Sequence, residues 1–207
     1  MALKRLLRMV LTLGVLASLF SPTTGLPAQP KVLVAARNQM WDLRTSVTME
    51  LAVMVDMLKK AGFTPVVASP EGQPFIFGKT RVESDLKLAD VVVSDYVAVV
   101  VPCMSTPPDK AIPPELVKIV TEAAAAGKPI AAQRSALSIL SKAGLLKGRK
   151  YAYLTPAFPE GIYSGDGVVQ DGNIITSAIC PNAAKDTGKH DTTVALMETF
   201  IKALNAG

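Results

Sequence analysis

Residues 128–146 read K-P-I-A-A-Q-R-S-A-L-S-I-L-S-K-A-G-L-L. A short apolar run, Pro129 to Ala132, stops at Gln133-Arg134-Ser135, and a helical pattern of Leu137, Ile139, Leu140 and Ala143 begins at once. A strand that turns straight into a helix exposes one residue on a sharp bend, where many α/β enzymes carry a Ser or Cys nucleophile. Here the bend carries Arg134, which is no nucleophile and keeps its proton at working pH. Other reactive groups are few. Ser135 stands one residue past the bend, Cys103 ends an apolar run, Cys180 lies in the final third, and His190 is the single histidine. Glu50 sits between Met49 and Leu51 near the start of a helical pattern. Each has an ordinary reading beside the chemical one. Ser135 can cap a helix. Cys103 can be a small core residue. Glu50 can favour the positive helix end. Cys103, Cys180, His190 and Glu50 lack the spacing of a metal site, and no motif calls for a cofactor.

Alternating elements must position these groups. Residues 31–36 are continuous and β-branched, which suits a strand buried on both faces. Ser46 or Thr48 can start a helix carrying Val47, Leu51, Met54, Val55 and Leu58, stopped by Lys59-Lys60-Ala61-Gly62. Phe63 to Ala68 is a second strand, so this unit is a right-handed β-α-β crossover. Residues 69–88 read mostly as loop, with a small excursion at Phe75–Phe77 and Thr80–Val82. Val91–Val93 and Val97–Val101 read as buried strands, the second ending at Pro102-Cys103-Met104. Pro114 is well placed in the first turn of a helix that Gly127 stops. After the bend helix come short strands at Tyr151–Leu154, Gly167–Gln170 and Asn173–Ser177, with an Asp171-Gly172 turn. Cys180–Lys189 reads as a polar loop, and Asp191 or Thr192 caps a last helix. The order implies a three-layer α/β sandwich, with a mainly parallel, flavodoxin-like sheet and helices on both faces.

Composition narrows the classes. The chain has 207 residues, 49% of them hydrophobic and 19% charged, so one sizeable core is available. Two cysteines are too few for a disulfide framework. The net charge is +5, yet Lys4, Arg5 and Arg8 supply three positive charges, and without them the balance is 19 basic to 17 acidic. No basic run with interleaved aromatics appears, so nucleic acid is not an expected partner. Those three cations precede an apolar run, Met9–Phe20, then a break at Ser21–Gly25 and a small-residue exit at Ala28. This describes a secretory signal peptide over 1–28. The run is short for a membrane span, which needs about 20 residues. Removal of 1–28, a periplasmic or secreted location and membrane contact only through this segment are the expectations; an uncleaved interfacial anchor is the alternative.

The motifs, taken together, resemble the ThiJ/PfpI family of the class I glutamine-amidotransferase-like superfamily, relatives of the Parkinson-disease protein deglycase and the PfpI-type peptidases. The matching pieces are M-E-L-A-V-M-V-D-M-L-K-K-A-G at 49–62, S-D-L-K-L-A-D-V at 84–91 and D-Y-V-A-V-V-V-P at 95–102. G-K-P-I-A-A at 127–132, G-L-L-K-G-R-K at 144–150 and V-V-Q-D-G-N-I-I-T-S at 168–177 complete the order. The resemblance implies one α/β domain over 31–207. It implies a Cys on the bend within A-A-I-C-x-G, a P-G-G oxyanion loop on the neighbouring strand, and an acid on the first helix. This chain has Arg134, then Ser135 and Ala136, at the first; Pro102-Cys103-Met104 at the second; and Glu50 at the third. Members often form dimers or larger rings, so a homo-oligomer is in keeping with the resemblance.

With an arginine in place of the thiol, the usual Cys chemistry is expected to be lost. Arg134 should pair with Glu50 and plug the pocket. Binding falls to Glu50, Arg134, Ser135, Cys103 and Met104, toward a small anionic or carbonyl ligand or a partner. The alternative is a hydrolase, deglycase or glyoxalase-like enzyme using Cys103 or Ser135 with Glu50. The family topology places the bend strand between Cys103 and Cys180. Two strand spacings, about 9.6 Å, then exceed the reach of a disulfide unless the loops fold inward.

Overall fold

The computed structural model describes residues 28–107 and 109–206. The expected signal peptide lies almost wholly outside them. Strand β1 (Lys31–Ala35) leads through a π-helical turn, Thr45–Leu51, into helix α1 (Ala52–Lys60). Strands β2 (Thr64–Ser69), β3 (Phe75–Phe77), β4 (Thr80–Val82), β5 (Leu86–Lys87) and β6 (Ala98–Val101) precede α2 (Pro114–Ala125). Then come β7 (Ile130–Gln133), α3 (Leu137–Lys142), β8 (Lys150–Tyr151), β9 (Ile162–Tyr163), β10 (Val168–Asp171), β11 (Ile174–Ser177), α4 (Pro181–Thr187) and α5 (Thr193–Ala206).

The main sheet runs β10-β11-β7-β6-β1-β2-β5. Only β10 is antiparallel, joined to β11 by the Asp171-Gly172 turn. The sequence explains why two layers cover it. On β1, Leu33 and Ala35 join one core with Val99, Val101, Ile130 and Ala132. Val32 and Val34 join the other with Ala98, Val100, Ala131 and Ile175. Alternate side chains of a strand point to opposite faces, so every central strand feeds both cores. Leu116, Ile119, Val120, Leu137 and Leu140 of α2 and α3 close the first. Met54, Leu58, Leu196, Met197 and Phe200 of α1 and α5 close the second. A third, small cluster of Cys103, Ala152, Ala178, Ile179, Cys180 and Ala183 sits at the strands' C-terminal edge.

Four expectations are corrected. Helical backbone begins at Leu43, ahead of Ser46 and Thr48, because the Asp42 carboxylate caps it by accepting the Thr45 N–H at 3.0 Å. Val91–Val93 is not a strand. It lies between two 3-10 turns, Leu88–Asp90 and Val93–Asp95, with Val92 more than half exposed. Lys128 Nζ satisfies the carbonyls of Val93 and Tyr96, which therefore need no sheet partner. The strand expected over Tyr151–Leu154 stops at Tyr151, and this short β8 pairs with β9. The polar loop at 180–189 contains α4, with Pro181 in its first turn and Gly188 at φ 70° stopping it.

Candidate functional site

The groups singled out by sequence gather at the C-terminal edge of the parallel strands, where open α/β sheets place their sites. The bend is real. β7 ends at Gln133, and Arg134 takes φ 42°, a left-handed conformation that costs a non-glycine residue about 1–3 kcal/mol. α3 begins after a single 3-10 turn. Gln133 anchors the strand side of this corner: its side-chain amide donates to the Ile179 carbonyl at 3.2 Å and to Thr193 Oγ1 at 2.9 Å.

Glu50 reaches the same edge from the π-helical turn, a distortion often found at functional positions. It is fully buried. The Cys103 N–H donates to its Oε1 at 2.6 Å and the Met104 N–H to its Oε2 at 2.9 Å. Two non-glycine residues with positive φ, Met104 at 53° and Ser105 at 43°, come next in that loop. Loss of water pushes the Glu50 carboxyl well above its ordinary range, and the Cys103 charge pushes the same way, against the two N–H bonds.

The expected Arg134–Glu50 ion pair does not form. Both carboxylate oxygens are already occupied by backbone donors of one loop. The Arg134 guanidinium lies over the Tyr153 ring instead, 5.8 Å from its centroid. Its Nη1 is buried and finds no partner among the described residues.

The arginine on Glu50's side is Arg37, just past the end of β1 and only 3% exposed. Its Nη2 donates to the Ser135 carbonyl at 3.0 Å and Ser135 Oγ at 3.1 Å. Burial draws its pKa down, while the charges of Cys103 and Glu50 hold it up; a guanidinium stays cationic under such a pull. Its Nε is buried and finds no partner among the described residues.

Ser135 lies between the two cationic groups and the thiol. Its hydroxyl proton can go to the Cys103 carbonyl, 2.7 Å away, or to Cys103 Sγ, 3.3 Å away. Cys103 is 1% exposed. Its thiol is lowered to about 6 by hydrogen bonds from Cys180, from the Ser135 hydroxyl and from the Ser135 and Ser105 N–H groups, which together outweigh burial. The neighbouring Cys180 is pushed up by the same contact and by burial. The two cysteines are free, as expected, but the strand-count separation does not keep them apart. Cys103 lies two residues beyond β6 and Cys180 three beyond β11, and both loops fold inward over the end of β7.

Beside this cluster a cavity of about 350 Å³ opens. Arg37, Lys110, Arg134, Thr106, Ser135, Ser138, Tyr153, Ile112 and Phe158 are among its lining residues, and no carboxylate is. A larger hollow of about 420 Å³ lies between α1 and β4, but its walls mix Lys59 and Arg81 with Asp56, Glu83 and Asp85. Of the residues singled out by sequence, Arg134 and Ser135 line the elbow cavity. Glu50, Cys103 and Met104 stand behind it. Met104 packs its side chain into the α1–α5 core. His190 is exposed and does not line the cavity.

Sequence reasoning missed Arg37, Lys110 and Tyr153. Arg37 carried a usable signal, a charged residue directly after a buried parallel strand. Tyr153 and Lys110 carried none, since loops bring them in.

A parallel sheet between two helical layers, with a strained strand-to-helix elbow beside a helix-borne acid, defines a three-layer α/β elbow protein. Residues 31–186 match the DJ-1/PfpI family, and the chain belongs to it. An uncharacterized protein of Archaeoglobus fulgidus is 31% identical over 153 residues, covering 71% of this chain and 88% of its own length. Among solved structures, a ThiJ/PfpI domain protein from Brachyspira murdochii aligns with a TM-score of 0.65 at 18% identity, over 86% of this chain and 98% of its own. Drosophila melanogaster DJ-1beta aligns with a TM-score of 0.60 at 22% identity, over 84% and 91%. A protein from Anabaena variabilis with DJ-1/ThiJ/PfpI-like and ferritin-like domains gives 0.66 at 22% identity; this chain covers 50% of its length. At such identities the structural likeness speaks for the fold alone.

Proposed function

We propose that this DJ-1/PfpI domain is a non-catalytic binding protein for a small anion, which it recognises at the elbow. One observation carries the reading. The elbow residue is an arginine with a buried Nη1, unpartnered among the described residues, in a cavity that also presents Arg37 and Lys110 and no acid. A carboxylate or phosphate oxygen supplies the acceptors these donors lack, and a charge-assisted bond to a guanidinium is of the strong kind. Tyr153, Phe158 and Ile112 offer apolar surface to the remainder of such a ligand. With residues 1–28 read as a signal peptide, the site of action is the periplasm or the exterior. Intact mass of protein from its native host tests that part, and a full-length cytoplasmic form would sink it.

Calorimetric titration with inorganic phosphate, small aliphatic carboxylates and an aryl carboxylate tests the binding. At least one should bind, with affinity about tenfold or more weaker in Arg134→Ala and lower at high salt. No binding by any, or equal binding by the variant, would overturn the proposal.

One observation favours a second reading, the Cys-dependent enzyme. The Cys103 thiol is lowered to about 6 and touches Ser135, which is the activation a thiol nucleophile needs. Against it stands the near-complete burial of the sulfur. Turnover of methylglyoxal or small esters, abolished in Cys103→Ala or Ser135→Ala, would favour the enzyme.

A further inference from the structure

The geometry points to Cys103 and Cys180 as a redox-active dithiol that closes into an intramolecular disulfide and reopens on reduction. Both thiols are free and 1% exposed. They come from loops after different strands, with β7 between those strands in the sheet. Yet they meet in one cluster whose other buried members are three alanines and Ile179. Small neighbours leave the two sulfurs as the bulkiest polarisable groups there. Both side chains are buried in this one cluster. Neither residue is locked in the sheet ladder. Cys103 leads into the Met104–Ser105 stretch of positive φ, and Cys180 lies in extended backbone just before α4.

The two thiols also differ, as an attacking and a resolving pair should. Ser135 Oγ meets the Cys103 sulfur at 3.3 Å. Arg37 lies close enough to interact with its charge. Cys180 is kept protonated by its contact with Cys103 and by burial, with the charges of Cys103 and Glu50 adding to both. Ser135 both touches Cys103 Sγ and lines the elbow cavity, so the sulfur stands one side chain behind the cavity wall. A reagent reaches the sulfur from that side once the Ser135 side chain swings aside.

The oxidant is a low-molecular-weight disulfide, R–S–S–R. The Cys103 thiolate attacks one of its sulfurs, the R–S–S–R bond breaks, and one thiolate leaves and takes a proton. The Cys180 thiol then loses its proton to the departing group and attacks Cys103 Sγ. The mixed disulfide breaks and the second R–SH is released. Two electrons pass from the two cysteines to the reagent, which ends as two thiols.

The test uses the full chain equilibrated natively with reduced and oxidised glutathione at graded ratios. Acid quench, alkylation in denaturant and intact mass then count the thiols. The expected result is one two-electron transition in the monomer, with both thiols lost together, two hydrogens lost in mass and full recovery with excess reduced glutathione. The oxidised form should need more denaturant to unfold. Cys180→Ser should stop at a glutathione adduct on Cys103, and Cys103→Ser should stay unmodified at Cys180. Two alkylatable thiols at every ratio, a disulfide formed only in denaturant, or one formed only between chains would overturn the inference. The wild-type count stands even where a variant folds poorly.

Discussion

At the scale of single residues the site is governed by which charges have partners. Glu50 is buried and chelated by two backbone N–H groups. Removing it strands both donors, and an unsatisfied buried group costs about 1–3 kcal/mol. Glu50→Ala should therefore destabilise the fold by about 2–5 kcal/mol in denaturant unfolding. A loss under about 0.5 kcal/mol, the usual size for a neutral surface change, would mean that water replaces the carboxylate freely. Arg134 obeys a different rule. Its φ of 42° suits glycine. Arg134→Gly should be more stable than Arg134→Ala by about 1 kcal/mol, although Gly is ordinarily the weaker of the two in regular elements. The reverse order would show that the elbow relaxes when the guanidinium goes. Glu50 and Arg134 share no hydrogen bond, so their losses in a double-mutant cycle should add to within about 0.5 kcal/mol.

Among elements, α5 closes one core and helps to fix the elbow. Asp191 Oδ1 accepts the Thr193 N–H at 2.9 Å and the Thr193 hydroxyl at 2.7 Å, and Thr193 in turn meets the Gln133 side chain. Asp191→Ala removes an acceptor of the helix's first turn and should cost about 1 kcal/mol, read from the denaturation midpoint. An unchanged midpoint would show that Thr192 or solvent takes over. The β8–β9 region is tight for another reason. A Cβ on Gly161 would stand 2.8 Å from Tyr151 Cδ1 and 2.9 Å from the Leu146 carbonyl. Tyr151 cannot yield easily, since it is 1% exposed and its hydroxyl accepts the N–H groups of Ala157 and Phe158. Gly161→Ala should cost about 1–3 kcal/mol, in the range of an overpacked core. Because Ala157 and Phe158 line the elbow cavity, ligand binding should weaken with it.

For the whole molecule the two titrating groups pull stability in opposite directions with pH. The Cys103 thiol is lowered in the fold. It contributes stability that is fully present above the unfolded thiol value, near 8.5, and is lost as pH falls through about 6. Glu50 is raised. The unfolded chain ionises it first, so stability drops as pH climbs above the unfolded carboxyl value, near 4.3. The stability gap between wild type and Cys103→Ser under reducing conditions should therefore widen between about pH 6 and 8.5. Denaturant midpoints at several pH values measure it, and a gap that stays flat would mean the thiol keeps its ordinary value in the fold.

The local pattern of the chain was enough for the layers and the bend. β-branched runs buried on both faces, Pro114 in a first turn, Gly127 at a helix stop and the abrupt change of period at Gln133-Arg134 each act over a few residues, so they can be read without the fold. The family motifs carried Glu50 to the correct edge. Partners were a different matter. Sequence placed Arg134 against Glu50, whereas the β6 loop supplied two N–H groups that are closer and better aimed. It kept Cys103 and Cys180 apart by counting strands, whereas the loops beyond those strands converge over β7. It passed over Arg37, a residue whose role appears only when β1 and the elbow stand side by side. Local propensity and burial pattern fix where each element begins and which face it hides. Which charged and polar ends meet depends on loop paths of a few ångströms, set by the packing of distant segments.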